Sequence, residues 1–243
     1  MNKTVVVTGS SSGIGKAIAE LLLGKGYKVY GVSRDVETIN NSNFAQIKAD
    51  LLDQASYEEI TKAINEQHID LLVNNAGIII KQKGLEFTED AFEKTFSTNF
   101  KAPILLTQSL KNKLNNSLVI NISSVSDRLV GEGSGLYCAS KAGLNKYFET
   151  IAIEEKTIKF VSILPSYVDT PLLHRLEDGN DFNWSEVIKP EQIAELIEKI
   201  ITEEIKVSSG VKIIVVTDAL KEDFEYDEDL WGYNVDSQTL TKL

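Results

Sequence analysis

Tyr137 and Lys141 stand four residues apart in a stretch with helical character, the separation that stacks two side chains on one helix face. A free phenol titrates near ~10, too high for efficient proton transfer at neutral pH. A neighbouring ammonium favours the phenolate and lowers that value. The same pair is common on ordinary amphipathic helices, so its chemistry needs company. Ser124 follows an apolar, β-branched run, with Ser123 and Ser126 beside it. A hydroxyl there lies where open parallel sheets place their ligands. It can orient a substrate oxygen and stabilise charge developing on it, or simply satisfy backbone at a strand end. Asn99 sits inside a long helical run, where asparagine is a mediocre choice. It is either an ordinary polar position or one kept for a task.

A second group of residues suits a phosphate. The run Thr8-Gly9-Ser10-Ser11-Ser12-Gly13-Ile14-Gly15 leads from a β-branched stretch into a helical pattern. Glycines there permit positive φ and let backbone come close to a ligand. A helix N-terminus offers unpaired N–H groups and partial positive charge to a pyrophosphate. The spacing is G-x-x-x-G-x-G rather than the common G-x-G-x-x-G, and a tight strand-to-helix turn would also use these glycines. Asn75-Ala76-Gly77 closes another apolar run. Its small residues leave room for a nucleotide, although Asn and Gly also favour plain turns.

These residues need a scaffold, and the hydrophobic pattern supplies one. Short, almost continuously apolar runs at 4–8, 28–33, 44–49, 71–74, 118–123, 159–164 and 211–217 read as strands covered on both faces. Helical patterns at 14–25, 54–66, 89–110, 137–153 and 191–204 alternate with them, long enough to be crossovers between parallel strands. The expected fold class is α/β: a Rossmann-type doubly wound, mostly parallel sheet of about seven strands with helices on both faces. No repeat or linker divides the chain, so residues 1–217 read as a single domain. Residues 218–243 read as an acidic C-terminal extension, in which aromatics interleave with the acids of 221–229. That extension is either a solvated surface segment or a partner-binding or lid segment.

Composition narrows the partners. The chain has 243 residues and a formal net charge of −11, with a pI of about 4.8. That balance argues against a nucleic-acid groove or an anionic membrane surface. An anionic cofactor must then be held by local groups, such as helix-start N–H donors and a well-placed arginine. Cys138 is the single cysteine, which fits a reducing compartment; it reads as a small buried residue, not a nucleophile. No signal-like segment precedes the first strand, and no apolar run approaches the ~20 residues that cross a bilayer. The expected location is the cytoplasm. His68 and His174 are far apart, and no metal is expected.

Taken together, these motifs resemble the short-chain dehydrogenase/reductase family. Thr8-Gly9-x-x-x-Gly13-Ile14-Gly15 resembles its nucleotide loop, and Asn74-Asn75-Ala76-Gly77 its fourth-strand motif. Tyr137-x-x-x-Lys141, with Ser124 upstream, resembles its catalytic set, and Pro165-Ser166-Tyr167-Val168-Asp169-Thr170 its nicotinamide-side motif. The likeness runs from about residue 3 to Thr217, and four motifs in order are more specific than any one.

The resemblance implies an oxidoreductase that moves a hydride between a nicotinamide and a small-molecule carbonyl or alcohol substrate. Tyr137 would be the general acid in reduction and the base in the reverse direction. Lys141 would lower its pKa and hydrogen-bond the nicotinamide ribose. Ser124 is preferred to its neighbours because twelve residues lie between it and Tyr137, the family-like spacing. Asn99 would sit in a kinked helix and hold a water linking Lys141 to solvent. Cofactor contacts would come from Gly9, Ser11, Gly13, Ile14 and Gly15 in the loop, then Ser33 and Arg34 after the second strand. Asp50 and Leu51 would follow after the third, Asn75, Ala76 and Gly77 after the fourth. Tyr137, Lys141, Pro165, Val168 and Thr170 would complete them. Asp50 would accept from the adenine amino group, though it reads almost as well as a helix N-cap.

An acid at the end of the second strand usually bonds the ribose hydroxyls of NAD, whereas arginine can hold the extra phosphate of NADP. Ser33 occupies that position here and Arg34 follows, so NADP (NADPH) is the expected cofactor, with Ser11 a further donor to the phosphate. Asp35 keeps NAD as the alternative. The chain departs from the family at Pro165-Ser166, where Pro-Gly is usual, and its stretch from Lys141 to Pro165 is short. A homodimer or homotetramer is expected. The substrate segment would be 172–189, with His174, Arg175, Phe182 and Trp184. Three activities compete. They are an NADP-dependent carbonyl reductase of 3-oxoacyl or small ketone substrates, an NAD-dependent alcohol dehydrogenase, and a nucleotide-sensing regulatory protein without turnover.

Overall fold

The computed structural model describes residues 3–35, 39–177, 182–219 and 230–242. Its strands are β1 (Thr4–Thr8), β2 (Lys28–Ser33), β3 (Phe44–Lys48), β4 (Leu71–Asn74), β5 (Ser117–Ile122), β6 (Ile158–Pro165), β7 (Val211–Val216), β8 (Trp231–Asn234) and β9 (Thr239–Lys242). They form one sheet in the order β3-β2-β1-β4-β5-β6-β7-β8-β9. Every neighbouring pair is parallel except the antiparallel β8 and β9.

The apolar runs explain the two-sided sheet. Successive side chains of a strand point to opposite faces. Val5 and Val7 of β1, Leu71 and Val73 of β4, and Ile120 of β5 enter one core, packed by helices α1 (Gly13–Gly24) and α7 (Pro190–Ile201). Val6, Leu72 and Val119 enter the other, packed by α2 (Ala55–Ala63), α4 (Ala102–Leu110) and α5 (Gly135–Glu154). Burying both faces removes the alternation that a half-exposed strand would show.

The sheet exceeds the seven strands expected. The two additional ones, β8 and β9, lie in the segment read as an acidic extension. Tyr233 and Val235 there are buried in the first core. Short strands next to a dense run of acids gave no long apolar signal. The acidic run 221–229 itself lies outside the described residues.

The helical pattern 89–110 is interrupted. It forms α3 (Glu89–Phe96), a π turn at Ser97–Lys101, and then α4. Pro103, in the first turn of α4, has no N–H to offer the carbonyl four residues earlier, and its ring crowds that carbonyl. That carbonyl belongs to Asn99, so the π turn falls where the helix cannot close normally. A short helix, α6 (Pro171–Leu176), lies in the expected substrate segment. No helix of the described residues is long and apolar enough to cross a membrane.

Candidate functional site

The chain builds β1, β2 and β3 outward in one direction, then returns to place β4 on the other side of β1. Such a reversal opens a crevice at the carboxyl ends of the strands. A cavity of about 810 Å³ lies there. It runs from Arg34 and Asp50, across the glycine loop, to Ser124, Tyr137 and Lys141, and on to α6.

The loop has the backbone that its glycines allow. Gly9 and Gly13 have φ of +67° and +52°, which non-glycine residues rarely adopt. Gly15 is required by space: a Cβ there would collide with the Gly9 carbonyl and the Asn75 amide. Ser12 caps α1 without a side-chain hydrogen bond, and no acid stands in the first turn. The first amides of the helix are therefore left for a ligand. Gly9, Ser11, Gly13 and Ile14 line the cavity; Gly15 packs beneath the loop instead.

Asn75 does something other than leave room. Its Nδ2 donates to the Thr8 carbonyl at 2.8 Å and to the Gly9 carbonyl at 3.3 Å. Thr8 Oγ1 in turn accepts from the Asn75 and Ala76 N–H groups at 2.9 and 3.0 Å, and donates to the Val73 carbonyl at 3.3 Å. This clamp ties the end of β4 to the loop after β1. Thr8 opens the glycine-loop motif but was not among the expected site residues; the sequence signal is a polar residue directly before the first glycine. Asn75, Ala76 and Gly77 also line the cavity.

The candidate reacting groups lie on one wall. Ser124 and Tyr137 both line the cavity; Ser124 Oγ donates to Ser126 Oγ and accepts from the Ser126 N–H, both at 3.1 Å. Lys141 is buried, and its Nζ donates to the Ile122 carbonyl at 2.9 Å. Nζ lies 5.7 Å from the centre of the Tyr137 ring. Burial pushes the phenol up to about 12, against a smaller lowering by the Ser124 hydroxyl. Burial likewise pushes the lysine down to about 8. The lowering of Tyr137 expected from Lys141 does not appear among the causes of its shift, which desolvation dominates.

Asn99 is fully buried in the π turn. Its Oδ1 accepts from the Ile78 N–H at 2.9 Å, while Nδ2 donates to the Ile78 carbonyl at 2.8 Å and to Ser140 Oγ at 3.1 Å. Both side-chain donors are thus engaged within the protein. Asn99 does not line the cavity; it fixes the wall behind Gly77, whose missing Cβ would lie 3.4 Å from Oδ1 and 3.6 Å from Lys141 Nζ.

At the far end, Ser33 is buried and its hydroxyl is occupied. It donates to the Asp35 carbonyl at 2.6 Å and accepts from Gln46 Nε2 at 2.8 Å. Ser33 therefore shapes the turn that presents Arg34, which is exposed on the cavity wall together with Asp35. Asp50 accepts from the Leu52 N–H at 3.0 Å. It is not the N-cap of α2, which starts at Ala55, and with Leu51 it lines the cavity.

Pro165, Val168 and Thr170 line the opposite side. Thr170 caps α6 by accepting from the Leu173 N–H at 3.3 Å. His174 stacks on Trp184 at 4.1 Å and pairs with Asp169 at 2.6 Å. Phe182 bridges Trp184 to Tyr167, a cavity residue, at 5.0 and 5.1 Å. Cys138 is half-buried rather than buried, 3.4 Å from Ser134 Oγ.

Comparison with known proteins agrees with this geometry. The family model of short chain dehydrogenases matches residues 3–181. An uncharacterized oxidoreductase of Staphylococcus saprophyticus is 33% identical over 213 residues, covering 80% of this chain and 88% of that protein. The benzil reductase of Bacillus subtilis, (S)-benzoin forming, is 29% identical over 183 residues, covering 69% and 75%. The crystal structure of a short chain dehydrogenase family protein from Francisella tularensis superposes with a TM-score of 0.82 at 25% identity, covering 88% of this chain and 97% of that one. The matched span contains the glycine loop and the Ser124–Tyr137–Lys141 wall, and the chain belongs to the short chain dehydrogenase family of nicotinamide-dependent oxidoreductases.

Proposed function

We propose that the protein is an NADP(H)-dependent carbonyl reductase in which Tyr137 is the general acid. One observation carries the reading. Ser124, Tyr137 and Lys141 face the same cavity whose other end presents Arg34 beside a non-acidic Ser33. The donor set fits the cofactor: uncapped helix amides lie at the positive-φ loop, and an exposed guanidinium stands at the end of β2. The loop residues Gly9 to Gly15 would hold its pyrophosphate and Arg34 its extra phosphate. Asp50, Leu51 and Asn75 to Gly77 would hold the adenosine half. Pro165, Val168 and Thr170 would flank the nicotinamide, and Lys141 would bond its ribose. When bound, the cofactor supplies the hydride.

Ser124 orients the substrate carbonyl oxygen by hydrogen bonding. Tyr137 donates its phenolic proton to that oxygen, and the Lys141 ammonium stabilises the phenolate left behind. Asn99 acts indirectly, by fixing Ile78 and Ser140 around Lys141. The benzil reductase relative supports a ketone substrate, and the aromatic cluster of Tyr167, Phe182 and Trp184 supports one with apolar bulk. Asp35 on the same wall sustains a second reading, NAD-dependent alcohol oxidation. The half-exposed aromatic run of Phe92 and Tyr147, flanking Phe96 and Phe100, supports a homodimer or homotetramer. The single cysteine supports work in the reducing cytoplasm.

The test is titration of NADPH and NADH into wild type and Arg34→Ala, followed by turnover with benzil. Tight NADPH binding that weakens about 10-fold or more in the variant, with NADH unchanged, is expected for a lost phosphate contact. NADH binding that equals or exceeds NADPH and ignores the variant would overturn the NADP assignment.

A further inference from the structure

Helix α5 buries two adjacent rows. Leu144, Phe148 and Ala152 are apolar and enter the core beneath the sheet. The neighbouring row is polar: Tyr137, Lys141, Asn145 and Glu149 follow one another at four-residue intervals, which places them along one helix face. Tyr137 and Lys141 belong to the proposed chemistry. Asn145 does not reach it, yet it is 1% exposed. An apolar residue would fill that position without the penalty of burying an amide.

Its partner explains the choice. Asn145 Nδ2 donates to Asp127 Oδ2 at 2.8 Å, and the Asp127 side chain is only 5% exposed. Asp127 closes the 3₁₀ turn Val125–Asp127, whose N-cap is Ser124. Its own N–H donates to the Ser124 carbonyl at 3.2 Å. The contacts run from Asn145 to Asp127 and from Asp127 to Ser124, while α5 leads from Asn145 back to Tyr137, which lines the same cavity as Ser124. The sequence therefore sets a buried carboxylate and a buried amide where they join the two elements that carry the reacting groups.

We propose that Asp127 and Asn145 are positioning residues. Their hydrogen bond braces the Ser124 turn against the Tyr137–Lys141 helix and thereby sets the Ser124–Tyr137 contact. This rests on the reading of Ser124 and Tyr137 as reacting groups. The pair is also open on one side. Asp127 Oδ1 and Asn145 Oδ1 are buried without a hydrogen-bond partner, so neither oxygen adds a second hydrogen bond between the turn and α5. The charged groups facing Asp127 are Arg128 of its own turn, Glu149 of α5 and Lys212 of β7. Arg128 Nε reaches Oδ1 only at 3.5 Å, and burial raises the Asp127 carboxyl above the ordinary carboxylate range. Asparagine at 127 would keep an acceptor for Asn145 and add an N–H for its orphaned oxygen.

Asp127→Ala, Asn145→Ala, the double variant and the conservative Asp127→Asn test this with two independent readouts. The first is kcat, KM and NADPH affinity in benzil reduction. The second is the Cζ resonance of Tyr137 in carbon-13 tyrosine-labelled protein, assigned by Tyr137→Phe. Each alanine variant is expected to lower kcat on the order of 10-fold or more, because small misplacement of reacting groups is costly. NADPH affinity should stay within about twofold, the glycine loop lying apart from the brace. The double variant should be no worse than either single one, as for two members of one interaction. Asp127→Asn should restore kcat to within about threefold, and the Tyr137 resonance should move in the alanine variants but not in Asp127→Asn. Unchanged kcat with an unmoved resonance overturns the brace. So does a loss of rate that merely follows the fraction of unfolded protein, with additive single effects. If wild type reduces no carbonyl, the proposed activity fails and the brace is judged on the resonance alone. Asn145→Ser replaces Asn145→Ala if the latter does not fold.

Discussion

Replacing Lys141 by methionine is expected to stabilise the protein while destroying its proposed activity. The ammonium is 4% exposed, and burial pulls its pKa from 10.5 to about 8. Between those values the unfolded chain holds a proton that the folded chain has released. Wild-type stability must therefore rise as pH increases from about 8 to 10.5. At pH 7 the lysine is charged in both states, and the folded state bears the full penalty. At about 1.4 kcal/mol for each pKa unit, that penalty is about 3 kcal/mol. Methionine has similar length and no charge, so it removes the penalty. It also strips the Ile122 carbonyl of the 2.9 Å hydrogen bond from Nζ, a loss of about 1 kcal/mol. Lys141→Met should then be about 2 kcal/mol more stable than wild type at pH 7. The gap should close and reverse by about pH 10.5, where the folded lysine is neutral and only about half of the unfolded chains still carry the charge. Urea unfolding of both proteins at pH 7, 9 and 10.5 measures the difference directly. A variant less stable than wild type at pH 7, or a gap that does not change with pH, would refute the reasoning that Lys141 is held inside at a desolvation cost.

Tyr137→Phe should lower kcat for carbonyl reduction by about 10²- to 10⁴-fold with NADPH affinity nearly unchanged, read by steady-state kinetics and titration. Gly15→Ala should cost about 1–3 kcal/mol in urea unfolding, because its Cβ meets the Gly9 backbone rather than a flexible side-chain end; NADPH affinity should fall with it. Thr8→Val should cost a similar ~1–3 kcal/mol, because the Asn75 and Ala76 N–H groups lose their shared acceptor. Recovery of that loss in a Thr8→Ser variant is the matching check.

The sheet, the glycine loop and the candidate reacting set were legible in the sequence for one reason: each is a strong local pattern. Buried parallel strands must be apolar on both faces, and a loop that approaches a phosphate must be glycine-rich. What stayed hidden depends on partners distant in sequence. Thr8 reads as the last residue of a strand until Asn75 and Ala76 are seen to share its hydroxyl. Asp127 and Asn145 are eighteen residues apart and carry no motif. Ser33 lines the cavity, but its partners, the Asp35 carbonyl and Gln46 on the neighbouring strand, show that its hydroxyl is already used. The π turn was nearly readable, since Pro103 stands four residues after Asn99. The strands β8 and β9 were missed because short, isolated strands adjoin a segment dominated by charge.

The same partners bear on how the reaction would be driven under the proposed reading. The sequence argument made Lys141 the agent that turns Tyr137 toward phenolate. In the folded site, burial acts on both residues and in opposite directions. It keeps the phenol protonated up to about 12, and it makes the lysine give up its own proton near about 8. A phenol so held is almost wholly protonated at neutral pH, so its acid form is well populated and its phenolate scarce. The reductive direction needs a protonated Tyr137 and a charged Lys141 together, and below about pH 8 both forms dominate. The oxidative direction needs the phenolate, which burial disfavours over the same range. The Ser124 hydroxyl is the one group that lowers the phenol, so the brace that holds Ser124 in place also sets how readily Tyr137 releases its proton. Loss of Asp127 or Asn145 should therefore slow proton donation even where substrate and cofactor still bind.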